Sequence, residues 1–158
     1  MDLHQETDLL RKVPMFSKLE PSKLKLLAFT SQSLTFEDGE LIFSAGDPAD
    51  AAYVIMEGEV DILADTATGE VVAGTLQRNE IFGELAVLNN APRATALRAR
   101  GNLVAMRITD EMFLKLLAEN PEVALDVMRQ LSMKLTRTHH LYEEMRREVE
   151  RLVSSATG

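Results

Sequence analysis

Cysteine is absent from all 158 residues. That excludes a disulfide framework, a thiolate metal site and a cysteine nucleophile. Tryptophan is absent too, aromatics make up 5%, and of three histidines one is His4 and the others are the adjacent His139 and His140. A metal centre built from histidines in the middle of the chain is therefore excluded. Long apolar runs are missing. The longest, Ala51 to Met56, has six residues, against the roughly 20 needed to span a bilayer. The start, Met1-Asp2-Leu3-His4-Gln5-Glu6, lacks the basic and apolar regions of a secretory signal, so a cytoplasmic protein with no membrane partner is expected. Positive charge is in deficit: 17 Lys and Arg against 25 Asp and Glu leave a net charge of −8. This argues against direct DNA binding, which depends on clustered cations.

What is present is ordinary globular material, 46% hydrophobic and 27% charged, enough for about one domain with a real core. Helical spacing runs from Leu3 to about Thr30 through Leu9, Leu10 and Val13, breaks at Pro14, and resumes after Pro21 with Leu24, Leu27 and Ala28. From Gln32 to Thr109 the period becomes two, clearest where Val104, Met106 and Ile108 alternate with Ala105, Arg107 and Thr109. Turn signals recur at Glu37-Asp38-Gly39, Ala45-Gly46-Asp47-Pro48, Glu57-Gly58, Thr66 to Gly69 and Arg100-Gly101-Asn102. The expectation is an α+β protein: an antiparallel β jelly-roll barrel of about eight strands with N-terminal helices and a long C-terminal helix. The barrel with its N-terminal helices takes residues 1–119, and the helix takes residues 120–158.

The helix start is marked by Asn120-Pro121-Glu122, with Asn as cap and Pro at the first position. Beyond it, Ala124, Met128, Leu131, Leu135, Thr138, Tyr142, Met145, Val149 and Leu152 follow one another at alternating spacings of 4 and 3. That heptad predicts a homodimer through this helix, although one face of a helix lying on its own barrel gives the same pattern over part of its length. Charges of both signs from Glu143 to Arg151 suit a solvated surface, not a DNA-binding patch.

The functional signal lies in Ile81-Phe82-Gly83-Glu84-Leu85-Ala86 and, after a short turn, Pro92-Arg93-Ala94-Thr95. Gly83 lets the backbone approach a ligand, and the amides of Leu85 and Ala86, opening a helical turn, are unpaired donors that suit an anion. Arg93 offers a planar fork of donors to phosphate oxygens. Glu84 would repel a phosphate, so its oxygens suit sugar hydroxyls instead. A ligand with one phosphate and a free hydroxyl fits both. A buried ion pair between Glu84 and Arg93, tying the turn to the barrel, is the competing reading.

In these residues the chain resembles the phosphate-binding cassette of cyclic nucleotide-binding domains, the family of catabolite activator proteins and regulatory subunits of the cAMP-dependent kinase. The likeness extends from about Val13 to Thr138, through Val13-Pro14-Met15-Phe16, Gly46-Asp47, the segment from Tyr53 to Val60, and Asn120-Pro121. It implies that Glu84 accepts the ribose 2′-hydroxyl, that Arg93 binds the cyclic phosphate, and that backbone amides of Leu85, Ala86 and Ala94 complete the cradle. Members that favour cGMP often carry Thr or Ser directly after the arginine. Ala94 at that place implies cAMP, with cGMP kept open by Thr95 one position on. Ile62, Ala73 and Gly74 fall where the family lines its base pocket, and Ile62 is equally compatible with plain core. Thr138 resembles the helix position that reaches the adenine amino group, or is a tolerated polar seam residue. Asn79 replaces the family's glycine before the cassette and is the residue best able to adopt a left-handed turn there.

The implied protein is a non-enzymatic receptor, with a cyclic nucleotide as ligand rather than cofactor, whose C-terminal helix reports occupancy to an unknown effector protein. The alternatives are a transcription regulator of the catabolite-activator type acting through another surface or partner, and a phosphodiesterase. The first lacks a recognition module, since the segment after Thr138 continues the heptad. The second lacks a cluster of His and Asp to hold a metal-bound water.

Overall fold

The computed structural model describes residues 2–157 and divides into two compact units, Met1–Asn120 and Pro121–Gly158. The first unit opens with helix α1 (Leu3–Arg11), held by a capping box in which the Asp2 carboxylate accepts from the Gln5 amide at 2.8 Å. Pro14 then starts a single 3-10 turn (Pro14–Phe16), and Pro21 opens α2 (Pro21–Thr30), where its missing N–H costs nothing. Leu9, Leu10, Val13, Leu24, Leu27 and Ala28 are all buried, as the helical spacing predicts.

Six strands follow: β1 (Gln32–Phe36), β2 (Leu41–Phe43), β3 (Ala51–Thr66), β4 (Gly69–Leu76), β5 (Ile81–Phe82) and β6 (Leu97–Thr109), with the short helix α3 (Glu84–Asn89) between the last two. All pairings are antiparallel, β6 taking β1, β2 and β3, and β3 taking β4 and β5. β1 and β4 are the free edges, so the sheet is an open roll, not a closed barrel.

The strand count corrects the sequence expectation, and the reason is local. Glu57-Gly58 and Arg100-Gly101-Asn102 are not turns between strands. They are bulges inside β3 and β6, where the register of the pair shifts and each long strand bends without ending. Gly58 has φ +90°, and a Cβ there would run into the Asn102 carbonyl and come within 3.1 Å of the Leu103 Cα. The two bends thus nest against each other. Gly39 and Gly46 do sit in true turns with positive φ, and Gly69, also at positive φ, opens β4 straight after the turn at Ala67 and Thr68.

Both faces of the long strands are buried. Tyr53, Ile55, Leu97, Leu103 and Ala105 fill the interior of the roll, whereas Val54, Met56, Met106 and Ile108 lie on the opposite face. Helix α4 (Asp110–Glu119) packs on β3 and β6. Its start is capped by the Thr109 hydroxyl, which accepts from Met112 at 3.2 Å, and by the Asp50 carbonyl, which accepts from Asp110 at 2.9 Å. Asn120, expected to cap the next helix, spends its side chain elsewhere: its amide donates to the Leu116 carbonyl at 2.8 Å and its oxygen accepts from Lys23 at 2.6 Å.

The second unit is one helix, α5 (Pro121–Thr157), of 37 residues, about 55 Å long at the standard rise. The heptad side chains Met128, Leu135, Tyr142, Met145, Val149 and Leu152 are all more than half exposed. Arg146 with Glu143, and Arg151 with Glu148, form exposed pairs one turn apart. No helix among the described residues is long and apolar enough to cross a membrane.

Candidate functional site

The site grows out of three left-handed residues, Asn79, Gly83 and Asn90. Asn79 has φ 71°, its amide donating to the Ile55 carbonyl at 2.9 Å while the Ile55 amide donates to Glu80 at 3.0 Å. This is the left-handed turn expected of it. It sets β5 beside β3, Phe82 opposite Tyr53. Gly83 follows with φ 78° and turns the chain straight from β5 into α3. α3 ends at Asn90, also left-handed, which returns the chain through Pro92 to Arg93.

Arg93 is held at both its backbone and its head. Its amide donates to the Asp47 carbonyl and its carbonyl accepts from the Gly46 amide, each at 2.8 Å. The Gly46-Asp47 turn, itself closed by Asp47 Oδ2 accepting from Ser44 at 2.9 Å, is therefore the clamp for the arginine's peptide group. Arg93 as a whole is 4% exposed. Nη1 donates to the Gly83 carbonyl and Nη2 to the Ala51 carbonyl, both at 2.5 Å, and the plane rests 4.1 Å from the centre of the Phe43 ring. Nε is buried with no hydrogen-bond partner. Burial pushes the Arg93 pKa down, partly offset by the ionisable groups of Tyr53, Asp50, Glu84 and Asp47.

Glu84, the first residue of α3, is 7% exposed. A buried carboxylate and a buried guanidinium thus sit at the two ends of one cassette. Leu85 is exposed, Ala86 half-buried, and Ala94 and Thr95 lie exposed just past the arginine. Ile62 and Gly74 face each other across β3 and β4, where a Cβ on Gly74 would meet Ile62 Cδ1 at 3.6 Å. Ala73 is the extra residue of the bulge opposite Ile62 and Leu63, and is exposed. Thr138 belongs to the second unit, is exposed, and returns its hydroxyl to the Lys134 carbonyl at 2.9 Å.

Phe43 and Ala51 are the members of the site that sequence reasoning missed. Phe43 carries the alternation of a strand and nothing more. Ala51 contributes only a carbonyl, which no side-chain pattern reveals.

With this geometry in view, residues 33–120 match the family model of the cyclic nucleotide-binding domain. The chain belongs to that family. It is 36% identical over 103 residues to the cAMP-dependent protein kinase type II regulatory subunit of Drosophila melanogaster, a match covering 65% of this chain and 27% of that protein. It is 26% identical over 134 residues to the CRP-like cAMP-activated global transcriptional regulator of Mycobacterium tuberculosis, covering 84% of this chain and 60% of the regulator. The chain thus spans about a quarter of the kinase subunit and under two thirds of the regulator. Among solved structures, the sensor domain of the transcriptional regulator DNR from Pseudomonas aeruginosa superposes with a TM-score of 0.77 at 24% identity, covering 84% of this chain and 90% of that one. At that identity the likeness speaks to the fold.

Proposed function

We propose that the chain is a non-enzymatic receptor for a cyclic nucleotide, with cAMP preferred, and that α5 carries the signal to a partner. The observation behind this reading is the buried Arg93, whose Nε lacks a partner while its Nη1 and Nη2 each donate one hydrogen bond to a backbone carbonyl. A buried donor without a partner is costly, and a phosphate oxygen is the acceptor that a guanidinium edge suits best. Arg93 takes the cyclic phosphate, the amides of Leu85, Ala86 and Ala94 supplement it, and Glu84 takes the ribose 2′-hydroxyl. Ala94 offers no hydroxyl to a guanine, which leaves adenine favoured, while Ile62 and Gly74 supply apolar wall for the base. The exposed heptad of α5 serves in pairing with a second copy.

Calorimetry with cAMP, cGMP and cyclic dinucleotides tests ligand identity and stoichiometry, and the same samples assayed for AMP test for hydrolysis. Wild type is expected to bind cAMP most tightly and to form no AMP. Arg93→Ala is expected to lose about 2–5 kcal/mol of cAMP binding, because a charge-assisted contact in a desolvated site disappears. Equal affinity in wild type and variant would sink the site assignment.

A further inference from the structure

Phe43 sits on β2 opposite Leu97 of β6 and is half-buried against the roll interior. Its ring is fixed by two others: Tyr53 at 6.1 Å and Phe82 at 6.3 Å, each tilted by 46°, with Tyr53 and Phe82 stacked on one another at 5.1 Å. The Arg93 guanidinium lies over this ring at 4.1 Å. The third wall is Gly83, where a Cβ would come within 2.7 Å of Arg93 Nη1 and 3.4 Å of Phe43 Cε2. A buried cation is thus held by two carbonyl oxygens and the negative face of an aromatic ring, all of them neutral groups. Neutral acceptors fix the orientation of a guanidinium without forming an ion pair with it, although Asp50, Glu84 and Asp47 act on its charge through space. An aliphatic residue at position 43 would fill the space but supply no such attraction.

We propose that Phe43 is a positioning residue for Arg93, setting the affinity for the anionic part of the ligand through its π face. The proposal rests on the reading of Arg93 as the phosphate-binding residue, and its test separates the two. Phe43 is replaced by 4-fluoro-, 3,5-difluoro- and 3,4,5-trifluorophenylalanine, which keep the ring's shape while draining its π face, and by Phe43→Leu and Phe43→Tyr. Calorimetry should show cAMP affinity falling in step with fluorination, about tenfold weaker in Phe43→Leu, and within about threefold of wild type in Phe43→Tyr, which keeps the ring. In the ligand-free proteins, the Arg93 guanidinium proton resonances should lie upfield in wild type from the ring current and move downfield in Phe43→Leu. Equal cAMP affinity across the fluorinated series, or guanidinium resonances unmoved by Phe43→Leu, overturns the proposal. A wild type that binds no cAMP removes the phosphate reading alone, and the resonance comparison still decides whether Phe43 seats Arg93.

Discussion

Gly83→Ala tests whether the site depends on the empty space at that residue, separately from its backbone conformation. Gly83 and Gly39 have nearly the same φ, +78° and +84°, but Gly39 has nothing within 4 Å of an added Cβ, whereas at Gly83 the Cβ meets Arg93 Nη1 at 2.7 Å. Each substitution forces an L side chain into the left-handed region, at about 1–2 kcal/mol. For a chain of this size that lowers the Tm by about 2–8 °C. Gly39→Ala should show this loss and nothing else. In Gly83→Ala the guanidinium must also leave the Gly83 carbonyl, giving up a charged hydrogen bond of about 1.5–3 kcal/mol. Thermal unfolding should therefore place Gly83→Ala clearly below Gly39→Ala. Calorimetry should find cAMP binding about 10- to 150-fold weaker in Gly83→Ala, the same 1.5–3 kcal/mol expressed as affinity, and unchanged in Gly39→Ala. Equal Tm losses with intact cAMP binding in both variants would refute the contact between Gly83 and the arginine seat.

Glu84→Ala should weaken cAMP strongly and 2′-deoxy-cAMP only slightly, since the deoxy ligand has already lost the hydroxyl that Glu84 accepts; similar losses for both ligands would contradict the ribose role. Asn79→Gly should raise stability by about 1 kcal/mol, because glycine adopts φ 71° freely and the buried Asn79 Oδ1, which has no partner, is removed; a lower midpoint in thermal unfolding would show that the side chain has an unrecognised role. Replacing Leu135 and Met145 together by Glu should convert a dimer into a monomer by placing like charges along the exposed seam. Sedimentation with and without cAMP checks this, and a wild type that is monomeric in both states ends the idea of pairing through α5.

Much of the site was legible because its chemistry resides in side chains. Gly83, Glu84 and Arg93 announce themselves by residue type and spacing, and Asn79 by its tolerance of positive φ. The clamp on Arg93 was not legible, since Gly46, Asp47 and Ala51 act through backbone atoms about 40 residues away in sequence that only folding brings near. The helices were readable from their prolines and apolar spacing, and α5 from its heptad. The strand count failed where a glycine that signals a turn instead marks a bend in a continuing strand, as at Gly58 and Gly101. Sequence near such a glycine looks the same whether the chain reverses or bends, and the outcome is decided by the strand across the ladder. Asn120 failed similarly: the residue suits a cap, but Lys23 and the Leu116 carbonyl compete for its side chain.

The bulge that leaves Ala73 unpaired also bears on how the folded protein behaves at high concentration. β4 is an edge of the roll, and Val71 and Val72 on it are 43% and 47% exposed. A straight edge with two exposed valines is a template on which another chain's strand can align and seed aggregates. The extra residue breaks the regular spacing of amide and carbonyl groups just after the valines, so an incoming strand loses register within a few residues. The distortion that removes Ala73 from the ladder opposite Ile62 thereby protects the protein from assembling edge to edge.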